Sequence, residues 1–66
     1  PYLRRGLALH RAGRCAEAIA PLARAVELQP DLAAGYYYLG ECLAKNGDET
    51  GAARARERYR RLQAGG

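Results

Sequence analysis

The chain has no Phe, Trp, Met or Ser, a single His, a single Thr, and only Ile19 and Val26 as β-branched apolar residues. Sheets are built from β-branched and aromatic side chains, so their scarcity, with apolar content supplied by Ala, Leu and Tyr, excludes an all-β reading and favours helix. Without Ser, with one Thr, and with His10 lacking any acid partner that sequence can name, a catalytic role is not expected. The chain reads as a non-enzyme.

Cysteine is also scarce. Cys15 and Cys42 are too few for a disulfide scaffold and sit in no CxxC or His-containing ligand spacing, so reduced, buried small residues are the default expectation. The competing thought is geometric, because Cys15 should open one helix and Cys42 should lie late in the antiparallel helix that follows. Neither a metal site nor a cofactor is expected, since His10 has no second convincing ligand nearby. No run approaches the roughly 18 apolar residues needed to span a bilayer, and no charged-then-apolar leader opens the chain. It reads as soluble and cytoplasmic, and the start at Pro1, inside a helix pattern, reads as a piece of a longer protein.

Sixty-six residues make one small domain, which buries only about 60% of the surface of its unfolded chain. The net charge is +4, from ten Arg and one Lys against seven acids. That excess raises the question of an anionic partner. The preponderance of Arg over Lys, with abundant Ala, fits GC-rich bacterial coding.

What the sequence does contain is a period. Displaced by 34 positions, it pairs Tyr2 with Tyr36, Gly6 with Gly40, Leu9 with Leu43, Gly13 with Gly47, Ala18 with Ala52, Arg24 with Arg58, Leu28 with Leu62 and Gln29 with Gln63, eight identities in 32 pairs. Glycines, an aromatic and small residues recur where a helix-turn-helix unit needs them.

The spacing predicts helices over about 2–12, 15–28, 32–46 and 49–64. Gly13 stops the first as a left-handed cap, and Asn46-Gly47-Asp48 is a turn followed by an N-cap. Pro21 lies too deep to be a first-turn proline and predicts a bend. Pro30 ends the second helix, and Asp31 is expected to cap the third. Two hairpins result, repeat one over 1–32 and repeat two over 33–66, in a single all-α domain over 1–66. Neither hairpin can bury its own apolar face, so they must stack as an α-solenoid.

These residues resemble the tetratricopeptide repeat. The second unit supplies Tyr36-x-x-Leu39-Gly40-x-x-Leu43 and then Ala52. The first supplies Tyr2-x-x-Arg5-Gly6-x-x-Leu9, then Ala18, Leu22, Ala25 and Pro30. Departures are Arg5 at the family's usual Leu, Arg56 at its bulky apolar residue, Tyr59 at its Ala and Ala64 at its Pro. Three of the four fall in the last helix, as suits a terminal unit. Gly6, Gly40, Ala18 and Ala52 are small because helices approach closely there, and Tyr2 and Tyr36 are expected to fill the gaps.

The resemblance implies a protein-interaction module that holds a peptide or partner protein in a concave groove lined by the first helix of each unit. Carried over, the groove positions are Leu3, Arg4, Leu7, His10 and Arg11, with Ala34, Tyr37, Tyr38, Glu41 and Lys45. The binding set expected from these is Arg4, Leu7, Arg11, Tyr37, Tyr38, Glu41 and Lys45, with a preference for acidic or C-terminal carboxylate ligands. Three consecutive tyrosines cannot all face one core, since helix neighbours point about 100° apart. With Tyr36 inward, at least one of Tyr37 and Tyr38 is exposed, and rigid aromatics beside cations make an adhesive surface.

Two alternatives stand beside this one. The segment could be an architectural spacer or self-association unit of a larger repeat protein, its tyrosines sealing a subunit contact. The arginines from Arg54 to Arg61 could instead grip nucleic acid, but they flank the apolar stripe of Ala52, Ala55, Tyr59 and Leu62 on both sides, as solvating residues do, and Tyr59 is expected to look inward.

Overall fold

A computed structural model describes residues 1–65. It contains four helices in order, α1 (Tyr2–Arg11), α2 (Cys15–Leu28), α3 (Ala33–Lys45) and α4 (Glu49–Gly65). The boundaries fall within about one residue of those the pattern predicts, and α2 runs through Pro21 without a break.

The two hairpin turns are built alike. Gly13 has φ 77° and Gly47 has φ 86°, a left-handed conformation in which a side chain would crowd the backbone. Each glycine closes a six-to-one and a five-to-two bond. Arg14 N donates to Leu9 O at 2.9 Å and Gly13 N to His10 O at 3.1 Å, while Asp48 N donates to Leu43 O at 2.9 Å and Gly47 N to Ala44 O at 3.1 Å. These bonds satisfy carbonyls that the helix ends leave without partners. The next helices start differently: Asp48 Oδ1 accepts from Gly51 N at 2.9 Å, whereas Arg14 makes no side-chain cap.

The expected cap at Asp31 does not form. Helix α3 begins at Ala33, so Leu32 is the N-cap and its carbonyl takes the amides of Gly35 and Tyr36. Asp31 stands one position too early for its side chain to serve that turn.

The core is small and made of small side chains. Ala18, Leu22, Leu39, Cys42 and Ala55 form its buried centre, with Leu22 and Cys42 the largest side chains fully shielded from solvent. Leu22 enters the space above Gly6, and the methyl of Ala55 approaches Gly40. Tyr2, expected to fill a gap, is instead exposed at the start of α1.

Packing also defines a curvature. Helix α1 packs on α2, α2 on α3, and α3 on α4; α1 also touches α3, whereas among the described residues α2 and α4 do not meet. The first helices of the two hairpins are therefore drawn together and the second helices splay apart. This makes the α1–α3 face the inner one.

The cysteines correct the reduced default. Cys15 and Cys42 are joined as a disulfide, their Cα atoms 4.8 Å apart across a sequence separation of 27. Cys15 is the first residue of α2 and Cys42 lies in the penultimate turn of α3, so antiparallel packing of the two helices brings the positions level.

Candidate functional site

A chain of aromatic contacts crosses the inner face. The ring of His10, late in α1, meets Tyr38 edge-on with centroids 5.2 Å apart, Tyr38 meets Tyr37 edge-on at 5.1 Å, and Tyr37 meets Tyr59 of α4 at 5.3 Å. Edge-to-face contacts of this kind suit the ring quadrupole and hold each ring in place. Tyr37 is nonetheless 43% exposed, so the series presents a fixed aromatic surface to solvent.

Glu41 anchors the same face. Its Oε1 lies 2.9 Å from His10 Nε2, tying α3 to α1. Its carboxylate also holds the Tyr37 phenol above the ordinary tyrosine range, first by charge repulsion and then through a hydrogen bond to the neutral phenol.

Two hollows flank this aromatic series. Leu3, Arg4, Leu7, Ala8 and Arg11 of α1, with Pro1 and Gln29, line one. Ala33, Ala34, Tyr37 and Tyr38 of α3, with Tyr59 and Gln63 of α4, line the other. Thus Arg4, Leu7 and Arg11 come together in the first hollow, and Tyr37 and Tyr38 in the second. Glu41 is engaged with His10 between them, and Lys45 is exposed at the end of α3, lining neither hollow.

The structure adds Tyr59 and Gln63, which the sequence did not place on this face. Tyr59 is half-buried, and Gln63 Nε2 donates to its hydroxyl at 2.8 Å. A tyrosine is too large for a position where close-packed helices usually set an Ala, so the ring emerges beside Tyr37. The signal was present as a departure from the small-residue pattern.

The arginines divide into engaged and open ones. Arg14 pairs with Glu17, Arg24 with Glu27, and Arg60 and Arg61 with Glu57, while the Arg58 guanidinium sits 5.6 Å from the Tyr36 ring centroid. Arg60 first, then Arg61, holds the Glu57 carboxyl below the usual carboxylate range. Arg4, Arg5, Arg11, Arg54 and Arg56 make no ion pair among the described residues, and of these Arg4 and Arg11 line the first hollow. Arg4 and Arg11 lie on one side of α1 with Leu7 between them.

A family model for the TPR repeat matches residues 2–47, which takes in all of the first hairpin and the first helix of the second. The chain belongs to the tetratricopeptide repeat family. Among curated proteins and among solved structures, none matches the chain significantly. TPR units are in general protein-interaction modules on a non-catalytic repeat fold. The matched stretch includes α1 and α3, the two helices that build the inner face. Among the described residues, no helix is long and apolar enough to cross a membrane.

Proposed function

We propose that this TPR pair binds an acidic peptide segment, or a peptide ending in a free carboxylate, along the α1–α3 face. The observation that carries the reading is where unpaired cations fall: Arg4 and Arg11 line one hollow with Leu7 between them, whereas Arg14, Arg24, Arg60 and Arg61 each have an acid partner within 3.0 Å. The other arginines without an ion pair among the described residues, Arg5, Arg54, Arg56 and Arg58, do not line that hollow. A ligand carboxylate on Arg4 or Arg11 gains paired hydrogen bonds, an apolar side chain is received by Leu3 and Leu7, and the rigid Tyr37 and Tyr38 rings supply area with little loss of side-chain freedom. Lys45 adds positive charge at the far end of the same face.

The test is titration calorimetry with peptides matched in apolar content, acidic or neutral, carrying a free or an amidated C-terminus. Acidic peptides should bind, and Arg4→Ala with Arg11→Ala should weaken them by about 10-fold or more, since hydrogen bonds to charged groups contribute about 1.5–3 kcal/mol each. Equal binding of neutral and acidic peptides would sink the charge argument.

A second reading, self-association, has its own observation. Tyr2 is 41% and Leu28 60% exposed, and together with Pro1, Leu3, Ala25 and Gln29 they line an apolar hollow where the start of α1 meets the end of α2. A second copy seated there would double the mass in light scattering, and Leu28→Glu would restore the monomer. The nucleic-acid reading of α4 is left with Arg54 and Arg56 as its unpaired cations, since Arg58, Arg60 and Arg61 are engaged. The cytoplasmic location expected from the sequence would place the chain among thiol reductants, where cysteine pairs are held open.

A further inference from the structure

One cluster beneath the inner face is used by neither reading. His10, Cys15 and Cys42 each offer a ligating atom, and all three atoms lie within 4.8 Å of one another. They come from three different helices or helix starts, late α1, the first residue of α2, and α3, so the fold rather than local sequence assembles them. We propose that, once the Cys15–Cys42 bond is reduced, these three side chains form a binding site for a borderline-soft divalent cation of the zinc type, with Glu41 orienting the imidazole.

The chemistry of the donors selects the ion. Two thiolates and an imidazole suit zinc and not calcium or magnesium, which take oxygen ligands. A tetrahedral zinc centre with Zn–S of about 2.3 Å sets its ligand atoms roughly 3.5 Å apart. The widest present separation must close by roughly 1.3 Å and the two sulfurs, released from their bond, must part by somewhat more than about 1 Å, shifts within reach of side-chain rotation. Cys42 is fully buried, which shields its half of the site, while the His10 side chain keeps 20% of its surface exposed and opens a path from the groove. The bond from His10 Nε2 to Glu41 Oε1 is the carboxylate contact that metal-bound histidines use to fix ring orientation. With Nε2 held by Glu41, the site assigns Nδ1 to the ion, and a water would complete the fourth position.

The balance is simple. A phosphine reductant supplies two electrons to the sulfur bond and takes up the oxygen of a water molecule, whose protons leave the two sulfurs as thiols. The cation then displaces two protons as both thiols bind as thiolates. Disulfide and metal are therefore mutually exclusive states of one site.

The experiment is titration of the phosphine-reduced and the oxidised chain with Co(II), followed by absorbance and by far-ultraviolet circular dichroism. The reduced chain should show a thiolate-to-cobalt charge-transfer band that saturates at one equivalent and is displaced by Zn(II), and the oxidised chain should show none. Cys15→Ser should abolish the band, and Glu41→Gln should lower affinity by about 10–100-fold while leaving the band's position unchanged. His10→Ala should shift the band and weaken binding, and equal binding by that variant would remove His10 from the set. No band in the reduced chain, one metal per two chains, or a reduced chain that unfolds and gains no helix with Co(II) would each overturn the site.

Discussion

The side chain of Leu22 occupies the space where a β-carbon on Gly6 would stand, only 2.5 Å from Leu22 Cγ. Gly6 sits in α1 and Leu22, fully buried, in α2, so this single approach sets how tightly the first hairpin closes. Gly6→Ala should force Leu22 from its seat and lower stability by about 1–3 kcal/mol. Gly40 is its counterpart one repeat later, yet there a β-carbon would find its nearest neighbours at 3.4 Å, an ordinary contact. Gly40→Ala should be nearly neutral or slightly stabilising, since Ala is the better helix former by about 1 kcal/mol. Chemical denaturation of both variants checks the asymmetry; equal losses would refute it.

The turn glycines make the opposite case. At Gly13 and Gly47 nothing lies within 4 Å of where a side chain would begin, so the cost of substitution is conformational alone. Alanine at either position should cost about 1–2 kcal/mol, nearly the same in each repeat, read as a shift of the urea midpoint at constant slope.

Reducing the Cys15–Cys42 bond should destabilise the fold markedly. Release of a loop with a sequence separation of 27 costs about 3–4 kcal/mol in the chain-entropy account, which for a domain this small moves the melting temperature by about 15–25 °C. Melting curves with and without phosphine, in chelator to keep metal away, measure it. A shift under about 5 °C would mean that the rest of the packing already confines the unfolded chain.

The Tyr37 phenol, held up by Glu41, should ionise above the ordinary phenol range. Because its folded value lies above the unfolded one, its contribution to stability is whole below the ordinary phenol range near 10 and is lost as pH rises above it. Tyrosinate absorbance during alkaline titration should show a late component that Tyr37→Phe removes and Glu41→Gln returns to the ordinary range.

Much of the scaffold was legible in the sequence, and the reason is locality. The 34-residue period, the glycines at 13 and 47 and the three-and-four spacing of Ala18, Leu22 and Ala25 each act within a turn or two of helix, so helix limits and hairpins follow from neighbours alone. What escaped depends on tertiary placement. Cys15 and Cys42 become neighbours only when α2 and α3 pack, and His10 joins them only when α1 meets α3. Tyr59 was read as inward from its arc on the helix, but its bulk turns it onto Tyr37. Asp31 missed its role by a one-residue change in where α3 starts.

The sulfur bond between the hairpins also governs how the molecule answers to force. Pull applied at the two ends travels through Cys15 and Cys42 and bypasses the 27 peptide links between them, which include nearly all of α2 and most of α3. An oxidised molecule drawn taut is therefore shorter than a reduced one by roughly 90 Å, at about 3.3–3.6 Å per residue. Its central segment rides as slack, sheltered from the tension borne by the strands on either side.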